Sequence, residues 1–252
     1  MFICIAGKNK CAIDGIKILL KNKLKKNRIL ALPINSDNGK DSWQPSFKKY
    51  VKNKKIKIIN LNYLYKLRNL IFLSFEYDKI IDIKKFKSKE LFNFHFSLLP
   101  KYRGCHTNFM QIFNGEKYSG VTLHKIDRGI DTGPILDQLK FKIKINDTAY
   151  DNYLKLMKIS TKVFNKNLRN ILDNKYILRK QNLSKGSYFN KTSIDYKLMN
   201  KITMYTHTLR IHNRIRSFIF PAYQYPIVNG LKVSKSIYKN KKIYLTTSYN
   251  YK

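Results

Sequence analysis

Short apolar segments alternate with segments of helical periodicity through the first half of the chain, and this order constrains the fold more than any other feature. The first apolar segment is FICIAG, and apolar residues at helical spacing follow it in CAIDGIKILL. The same order continues through RILALPIN, SWQPSFKKYVKN and IKIINL, and two more apolar segments follow, LIFLSFE and FNFHFS. Strands joined by helices form parallel sheets covered on both faces, so we predict an α/β fold with a mainly parallel sheet.

The second half of the chain begins with a predicted short helix that ends at Asn114-Gly115, a strand SGVTLHKI and a loop DRGIDTGP. The longest predicted helix starts after Asp147, where Thr148 and Asp151 fit a capping box. Its apolar face is predicted to contain Tyr150, Leu154, Met157, Thr161, Phe164, Leu168 and Ile171.

Beyond residue 175 the pattern changes to short strand-like segments, which are SYFNK, FIFPAYQYPIV, LKVSKSIY and KKIYLTTSY. We therefore predict a main domain over residues 1–175 and a small C-terminal β-rich module over residues 176–252.

The net charge of +36 at first suggests a nucleic-acid-binding protein. However, only nine of the 51 basic residues are Arg, and the Lys residues are spread along the chain without forming a stripe. Lys, Asn, Ile, Tyr and Phe are all abundant and share AT-rich codons, so codon composition accounts for much of the charge. We do not expect nucleic acid to be the main partner.

Two further features bound the cellular context. No apolar run approaches the ~20 residues of a membrane-spanning helix, and in MFICIAGKNK the apolar residues precede the charges, the reverse of a secretory signal. We expect a cytoplasmic protein that does not interact with a membrane. The three cysteines show no CxxC spacing, which supports neither a disulfide framework nor a structural zinc site.

The segment FNFHFSLLPKYRG alternates aromatic and polar residues. In a strand, Asn93, His95 and Ser97 would share one face, and the three Phe residues between them would pack on the other. His95 lies close to a strand end because Pro100 stops the ladder, and ligands of open α/β sheets bind beyond such ends. Two interpretations of the polar face are possible: it is a solvated surface or a catalytic site.

A catalytic reading requires a carboxylate, and Asp131 in the glycine-rich loop RGIDTGPIL can supply one. Asn93 and His95 would polarise a carbonyl and stabilise its oxyanion, while Asp131 would help to remove a proton from an attacking amine. The alternative is that Asp131 only forms a turn. By their pattern, His106, His124, His207 and His212 are hydrogen-bonded or exposed polar residues rather than ligands, and no metal is expected.

The motif NFHFSLLPKYRG, followed by NGEKYSGVTLHKIDRGIDTGPIL, closely resembles the signature of formyltransferases that use N10-formyltetrahydrofolate. The match runs in the same order and spacing over nearly all of residues 93–136. The resemblance implies a Rossmann-like core and places Asn93, His95 and Asp131 on the catalytic Asn, His and Asp of the family. It also implies N10-formyltetrahydrofolate as co-substrate, with no metal.

Within the family, FHFSLLPKYRG, SFEYDKII, GSYFNKTSIDY and IHNRIRSFIFPAYQYPIVNG look most similar to enzymes that formylate a dTDP-linked amino-deoxyhexose. This implies a nucleotide-sugar substrate and a homodimer. The cofactor-binding residues it implies are Phe75, Tyr77, Asp78, Ile126 and Arg128. A nucleotide sugar needs a pyrophosphate contact and an aromatic face for the base. The predicted substrate-binding residues are Ser97, Lys101, Tyr102, Arg103, Arg216, Phe220 and Tyr223. For Phe220 and Tyr223 the alternative is packing in the core of the C-terminal module.

Three other activities stay open at this point. The first is glycinamide ribonucleotide formylation, because the segments Cys105-His106-Thr107 and Gly133-Pro134-Ile135 look somewhat similar to those enzymes. The second is methionyl-tRNA formylation, although those enzymes normally carry a longer C-terminal barrel, which tells against this assignment. A formyltetrahydrofolate hydrolase would use the same three catalytic residues. A lysine-rich RNA-binding module on an inactivated enzyme fold is the alternative outside enzymes.

Overall fold

A computed structural model describes residues 1–247 of the chain. The main sheet has seven strands in the order β3-β2-β1-β4-β5-β7-β8. Its strands are β1 (Phe2–Gly7), β2 (Ile29–Pro33), β3 (Lys57–Ile58), β4 (Leu70–Phe75), β5 (Glu90–His95), β7 (Tyr118–Lys125) and β8 (Ile135–Lys142). The helices around it are α1 (Asn9–Lys21), α2 (Phe47–Asn53), α3 (Leu61–Tyr65), α4 (Thr107–Phe113) and α5 (Ala149–Leu172).

Strands β1 to β5 are mutually parallel, while β7 and β8 extend the sheet in antiparallel orientation. The predicted α/β fold with a mainly parallel sheet is confirmed. The chain leaves β1 towards β2 on one side and returns to β4 on the other, so the topological switch point lies between β1 and β4. Ligands of open α/β sheets bind beyond the carboxyl ends of the strands at such a point.

Apolar side chains fill both sides of the sheet. One core cluster joins α1 and α5 to the sheet through Phe75, Phe92, Phe94 and Phe164, and a second covers the opposite face around Phe72. Phe92, Phe94 and Phe96 are buried, as predicted for the aromatic face of FNFHFS. These side chains fix β5, the strand that carries Asn93 and His95.

Helix α5 begins at the predicted capping box, in which the Thr148 hydroxyl accepts a hydrogen bond from the Asp151 N–H and the Asp151 carboxylate accepts one from the Thr148 N–H. The predicted apolar face is wrong at Leu154, which is 40% exposed. The buried stripe instead passes through Leu156 and Val163. Within residues 1–247, none of the helices combines the length and the apolar character needed to cross a membrane.

The C-terminal part contains a four-stranded sheet in the order β10-β11-β12-β13, together with two helices. These elements are α6 (Tyr196–Met199), β10 (Lys201–Ile202), α7 (Leu209–Ser217), β11 (Ile227–Val228), β12 (Leu231–Lys239) and β13 (Lys242–Thr247). Its core includes Phe109 of α4, so it packs on the main sheet domain. The domain boundary near residue 175 stays a prediction.

The strand-like reading of FIFPAYQYPIV is wrong over most of its length. Only Ile227–Val228 pairs as a strand, because Pro221 and Pro226 lack the N–H groups that a ladder needs. The β-rich reading also missed α7. The last predicted strand is confirmed as β13 up to Thr247, and its residues 248 and 249 lie outside the described part of the chain.

After α5 the chain crosses back over the edge of the sheet as a segment that we call the strap, residues 179–189. Arg179 forms an isolated antiparallel bridge with Ile135 at the start of β8. At its other end β9 (Tyr188–Phe189) pairs in parallel with β6 (Arg103–Gly104). The predicted strand SYFNK therefore belongs to this two-stranded ladder and not to the C-terminal sheet.

Candidate active site

Asn93, His95 and Asp131 lie together at the end of β5. Nδ2 of Asn93 donates to Oδ1 of Asp131 at 3.1 Å, and Nδ1 of His95 lies 3.3 Å from Oδ2 of the same carboxylate. Asp131 comes from the predicted loop between β7 and β8, about forty residues downstream. The structure thus brings together the three residues that the sequence placed in one catalytic group, which we call the triad.

Both ring nitrogens of His95 face acceptors. Nε2 lies 2.7 Å from the carbonyl oxygen of Tyr102, and Nδ1 faces the Asp131 carboxylate. A carbonyl and a carboxylate can only accept, so both nitrogens carry protons in this arrangement. His95 is therefore held as an imidazolium, a positive charge in a largely buried position.

The carboxyl of Asp131 is held in its charged form. Burial alone would raise its pKa, but the charge of His95, the contact with His124 and the hydrogen bond from the Gly104 N–H at 2.9 Å together lower the pKa well below its usual range. The same contacts that lower the pKa of Asp131 also orient its side chain. A carboxylate of this kind attracts positive charge strongly and is a weak base.

His124 completes the group, although the sequence analysis treated it as an ordinary polar residue. Ser74, Asn93 and His124 lie in register on adjacent strands, so their side chains share one face of the sheet. Nδ1 of His124 donates to the Lys125 carbonyl at 2.7 Å, and Nε2 lies 3.3 Å from Nδ2 of Asn93. Nε2 also lies 3.4 Å from Oδ1 of Asp131, so the His124 ring contacts both the Asn93 amide and the Asp131 carboxylate.

The sequence contained a signal for His124, because it lies in the predicted strand SGVTLHKI, which is part of the motif NGEKYSGVTLHKIDRGIDTGPIL. What it could not give was the pairing of β5 with β7, which sets Asn93 opposite His124.

A cavity of about 180 Å³, which we call the triad cavity, opens beside these residues. Tyr77, Asp78 and Ile126, predicted to bind the co-substrate, line it together with Asn93, His124 and Asp131. Arg128 is exposed in the loop that forms one wall. Phe75 does not line this cavity, since its ring is buried and stacks on Phe94 with centroids 4.2 Å apart, and its contact with the co-substrate stays a prediction.

A second cavity of about 360 Å³ lies at the topological switch point, lined by Lys8 directly after β1 and Glu76 directly after β4. We call it the aromatic cavity because Trp43, Tyr153, Phe220, Tyr223 and other rings form its walls. Tyr223 is 69% exposed and meets Trp43 edge to face at 5.6 Å. Phe220 and Tyr223 thus lie together in one cavity, where a flat ring could stack.

A polar groove of about 500 Å³ adjoins the aromatic cavity and shares Lys8, Trp43 and Tyr223 with it. Its remaining walls come from Asn9 and from residues 34–46 between β2 and α2. Lys8, Trp43 and Glu76 were not predicted as site residues, although Glu76 lies in the segment SFEYDKII that carries part of the family resemblance. The order of the strands brings these three residues together at the switch point.

Within the aromatic cavity the Tyr153 hydroxyl donates to both carboxylate oxygens of Glu76, at 3.0 and 2.8 Å. Burial raises the pKa of Glu76, partly offset by the charge of Lys8. Lys8 and Glu76 therefore place one positive and one negative group on the same cavity wall.

Three of the predicted substrate-binding side chains are buried within the fold. Ser97 is fully buried and donates to the Lys101 carbonyl at 2.7 Å. The Tyr102 side chain is also buried, and its hydroxyl donates to Glu116. Arg216 is only 3% exposed, and its guanidinium donates to Asn213 and to the carbonyls of Lys144 and Asp147. These three side chains are thus hydrogen-bonded within the fold, and their assignment to the substrate stays a prediction.

Lys101 and Arg103, expected to contact a pyrophosphate, lie on the loop after β5. Lys101 is exposed, with Nζ 3.8 Å from Glu116, and Arg103 lies over the Tyr188 ring at 6.0 Å. Neither side chain lines the aromatic cavity or the polar groove. Within residues 1–247, His, Cys, Asp and Glu side chains do not gather in groups of three or more that could hold a metal ion.

Comparison with known proteins gives consistent matches. Residues 66–168 match the family described as formyl transferase. WlaRD, a sugar 3N-formyltransferase crystallised with dTDP and 5-N-formyl-THF, is 46% identical and superposes with a TM-score of 0.91 over 95% of this chain and 87% of its own. An N-formyltransferase from Helicobacter canadensis, in complex with folinic acid and dTDP-3-aminofucose, is 45% identical with a TM-score of 0.91, over 95% and 89% of the two chains.

Among curated proteins, the bifunctional polymyxin resistance protein ArnA of Wigglesworthia glossinidia brevipalpis is 47% identical over 117 residues, which are 46% of this chain and 18% of that protein. Several methionyl-tRNA formyltransferases also match, and the chain spans 28% to 54% of their length. The chain thus spans at most 54% of the length of these curated relatives.

Proposed function

The chain belongs to the formyltransferase family, and from this membership we propose that it transfers the formyl group of N10-formyltetrahydrofolate to the amino group of a dTDP-linked amino-deoxyhexose. The observation that carries the proposal is the likeness over 95% of the chain, at 45–46% identity, to two sugar N-formyltransferases whose structures contain dTDP or dTDP-3-aminofucose and a formylated folate. The curated methionyl-tRNA enzymes match over 49% and 62% of the chain, and a methionyl-tRNA formyltransferase structure that covers 97% of it is only 20% identical.

The two cavities suit the two substrates of this reaction. The triad cavity would take the formyl-bearing end of the folate, since Tyr77, Asp78 and Ile126 lie there beside Asn93 and Asp131. The aromatic cavity and the polar groove together offer an elongated site with rings for a base and Lys8 for a phosphate.

Strand β4 ends between the two sites. Glu76 lines the aromatic cavity and Tyr77 lines the triad cavity, so consecutive residues face different substrates. The acceptor amine would reach the formyl carbon across this boundary, which holds both substrates in one geometry.

In the reaction, the uncharged amine attacks the formyl carbon and forms the new C–N bond. The Asn93 amide and the charged His95 stabilise the oxyanion that develops on the formyl oxygen. Nδ2 of Asn93 has two hydrogens, and one of them is donated to Asp131. We expect the oxyanion to accept the other, on the side where Nε2 of His124 lies at 3.3 Å.

Asp131 would attract the hydrogens of the amine as its nitrogen becomes positive. Because the pKa of Asp131 is lowered, it accepts the proton only transiently, directly or through a water molecule. The bond from the formyl carbon to N10 then breaks, and the proton ends on N10 of tetrahydrofolate. Loops around Tyr77 and Arg128 would keep bulk water from the formyl group.

The test is a product assay. The protein is mixed with N10-formyltetrahydrofolate and, separately, with dTDP-3-amino and dTDP-4-amino sugars, glycinamide ribonucleotide and methionyl-tRNA, and mass spectrometry detects the gain of one formyl group. We expect formylation of an amino sugar. Formylation of the tRNA or the ribonucleotide alone would refute the sugar assignment, as would formate release without any amine, which would indicate a hydrolase. RNA binding that weakens with salt, without folate binding, would indicate an inactivated enzyme.

A crystal soaked with dTDP provides an independent test of the acceptor site. We expect the base to stack against Tyr223 or Phe220. A base bound elsewhere would refute the assignment of the aromatic cavity, whatever the outcome of the product assay. The cytoplasmic location and the homodimer stay predictions, which cell fractionation and light scattering would test.

A further inference from the structure

We propose that the strap, residues 179–189, is a positioning element for the triad, and that Gln181 is the positioning residue through which it holds Asp131. The inference rests on the proposed function only in that the triad performs the transfer. The strap lies outside both cavities, and it contributes none of their described lining residues.

The first observation concerns the loop that carries Asp131. Nε2 of Gln181 donates to the carbonyl oxygens of Asp131 at 2.9 Å and Gly133 at 2.7 Å. Asp131 has a φ of 54°, a left-handed backbone conformation that residues other than glycine seldom adopt. Such a conformation persists when neighbouring contacts over-determine it. Gln181 supplies two of those contacts.

A backbone bridge keeps Gln181 in place. The N–H of Arg179 donates to the carbonyl of Ile135 and the N–H of Ile135 donates to the carbonyl of Arg179, both at 2.8 Å. The bridge joins the strap to the first residue of β8, so the side chain of Gln181 reaches the loop from a fixed backbone.

The second observation concerns the loop that contacts His95. Oγ of Ser187 accepts a hydrogen bond from the N–H of Tyr102 at 2.8 Å, and the Ser187 carbonyl accepts one from the N–H of Arg103 at 2.9 Å. Tyr102 also has a left-handed backbone, with a φ of 59°, and its carbonyl is the partner of Nε2 of His95. The strap therefore holds the residue that orients the imidazolium.

The backbones of the strap and this loop approach closely. A Cβ atom on Gly186 would lie 2.6 Å from the carbonyl oxygen of Pro100. The approach leaves little freedom for either segment to shift. Gln181 bonds the loop that carries Asp131, whereas Ser187, at the other end of the strap, bonds the loop that contacts His95. A displacement confined to Gln181 would therefore change the separation between Asp131 and His95.

The test uses Gln181→Met in the full chain, which keeps the volume of the side chain and removes its donor. The matched control is Asn167→Leu, which removes a buried amide that donates to Asp137 and to the Val163 carbonyl and contacts neither loop. For Gln181→Met we expect kcat to fall about tenfold or more, with KM for folate and acceptor unchanged, since small misplacements of reacting groups are costly. For the control we expect kcat to be retained.

A second readout separates positioning from general stability. Loosening Asp131 from His95 would raise the pKa of Asp131, so the acid limb of the kcat profile should move to higher pH in Gln181→Met and stay in place in the control. A kcat and pH profile equal to those of the wild type, or a loss of rate matched by the control, would overturn the proposal.

If Gln181→Met does not fold, Ser187→Ala decides the question, because it removes only the hydroxyl that accepts from Tyr102. A reduced kcat with unchanged KM supports the proposal, and an unchanged kcat overturns it. If the wild type formylates none of the acceptors, the proposed function fails while the inference stays testable. A crystal structure of the folded variant should then show His95 and Asp131 beyond hydrogen-bonding reach, ~3.5 Å, and an unchanged separation would overturn it.

Discussion

Asp131 and His95 form a largely buried ion pair in which Oδ2 of the carboxylate lies 3.3 Å from Nδ1 of the imidazole. The same oxygen accepts the N–H of Gly104 at 2.9 Å, while Oδ1 accepts from Asn93. The carboxylate is thus the group on which the other members of the site converge. Its charge sets both the proton state of His95 and the direction of the Asn93 amide.

The first prediction concerns the charge of Asp131. Asp131→Asn keeps the shape of the side chain but removes the charge that holds His95 as an imidazolium, so both the oxyanion stabilisation and the path of the amine proton are lost. We expect kcat to fall on the order of a hundredfold or more, as measured by formyl transfer to the accepted amine. Asp173→Asn, which changes an exposed carboxylate paired with Arg169, should retain the rate. Retention of full rate in Asp131→Asn would contradict the mechanism.

The second prediction concerns the space around Gly104. Gly104 has a φ of 87°, and a Cβ atom there would lie 2.2 Å from the carbonyl oxygen of Phe189 in the strap. Gly39 has a φ of 88° but nothing within 4 Å of a Cβ, which makes it a matched control for the backbone conformation alone.

We expect Gly39→Ala to lower the free energy of unfolding by about 1–2 kcal/mol, the cost of the left-handed conformation. Gly104→Ala should cost more and also reduce the rate, because the N–H of Gly104 binds Asp131. Denaturant unfolding and the transfer assay measure the two effects. Equal destabilisation of the two variants would show that the contact with the strap is not tight.

How much of this site the sequence could predict depends on the range of the interactions. The alternation of Asn93 and His95 is local, and so is the strand end at Pro100, so both were readable from neighbouring residues. Asp131 was assigned through its motif. His124 was missed because its role depends on the antiparallel pairing of β5 with β7, which no local pattern specifies.

Long-range packing also decides which polar side chains are used within the fold. Ser97 and Arg216 are polar residues close to functional motifs, yet the fold satisfies their hydrogen bonds internally. Whether a polar side chain faces a ligand or a backbone carbonyl depends on long-range packing. Gln181 shows the converse, since a residue in an unremarkable segment reaches the catalytic loop about fifty positions upstream.

The third prediction concerns stability against pH. Nδ1 of His212 accepts from the Ser236 hydroxyl and Nε2 donates to the Ile145 carbonyl, so the ring is neutral and buried. Burial lowers the pKa of His212 to about 4, from an ordinary value of 6.5. Because the unfolded chain binds this proton more readily, the stabilising contribution is present above pH 6.5 and is lost as the pH falls towards 4.

We therefore expect His212→Gln to be less stable than the wild type at pH 7.5 and to lose less further stability on going to pH 5. Thermal unfolding at the two pH values measures this difference. An unchanged slope in His212→Gln would contradict the assignment of a neutral buried ring.

The fourth prediction distinguishes two possible pyrophosphate contacts. Lys8 lines both the aromatic cavity and the polar groove at their junction, whereas Lys101, the residue expected from the sequence, lines neither and lies close to Glu116. A charge-assisted hydrogen bond contributes about 1.5–3 kcal/mol, so Lys8→Ala should raise KM for a dTDP-amino sugar about tenfold or more, with KM for the folate unchanged.

Lys101→Ala removes the same charge from the neighbouring loop and serves as the control, with kinetic constants expected to equal those of the wild type. Raising the salt concentration should weaken acceptor binding less in Lys8→Ala than in the wild type, because the screened charge is already absent. A raised KM in Lys101→Ala with a normal KM in Lys8→Ala would place the pyrophosphate on the loop after β5. The base would then have to bind outside the aromatic cavity, because Lys8 and not Lys101 adjoins Trp43 and Tyr223.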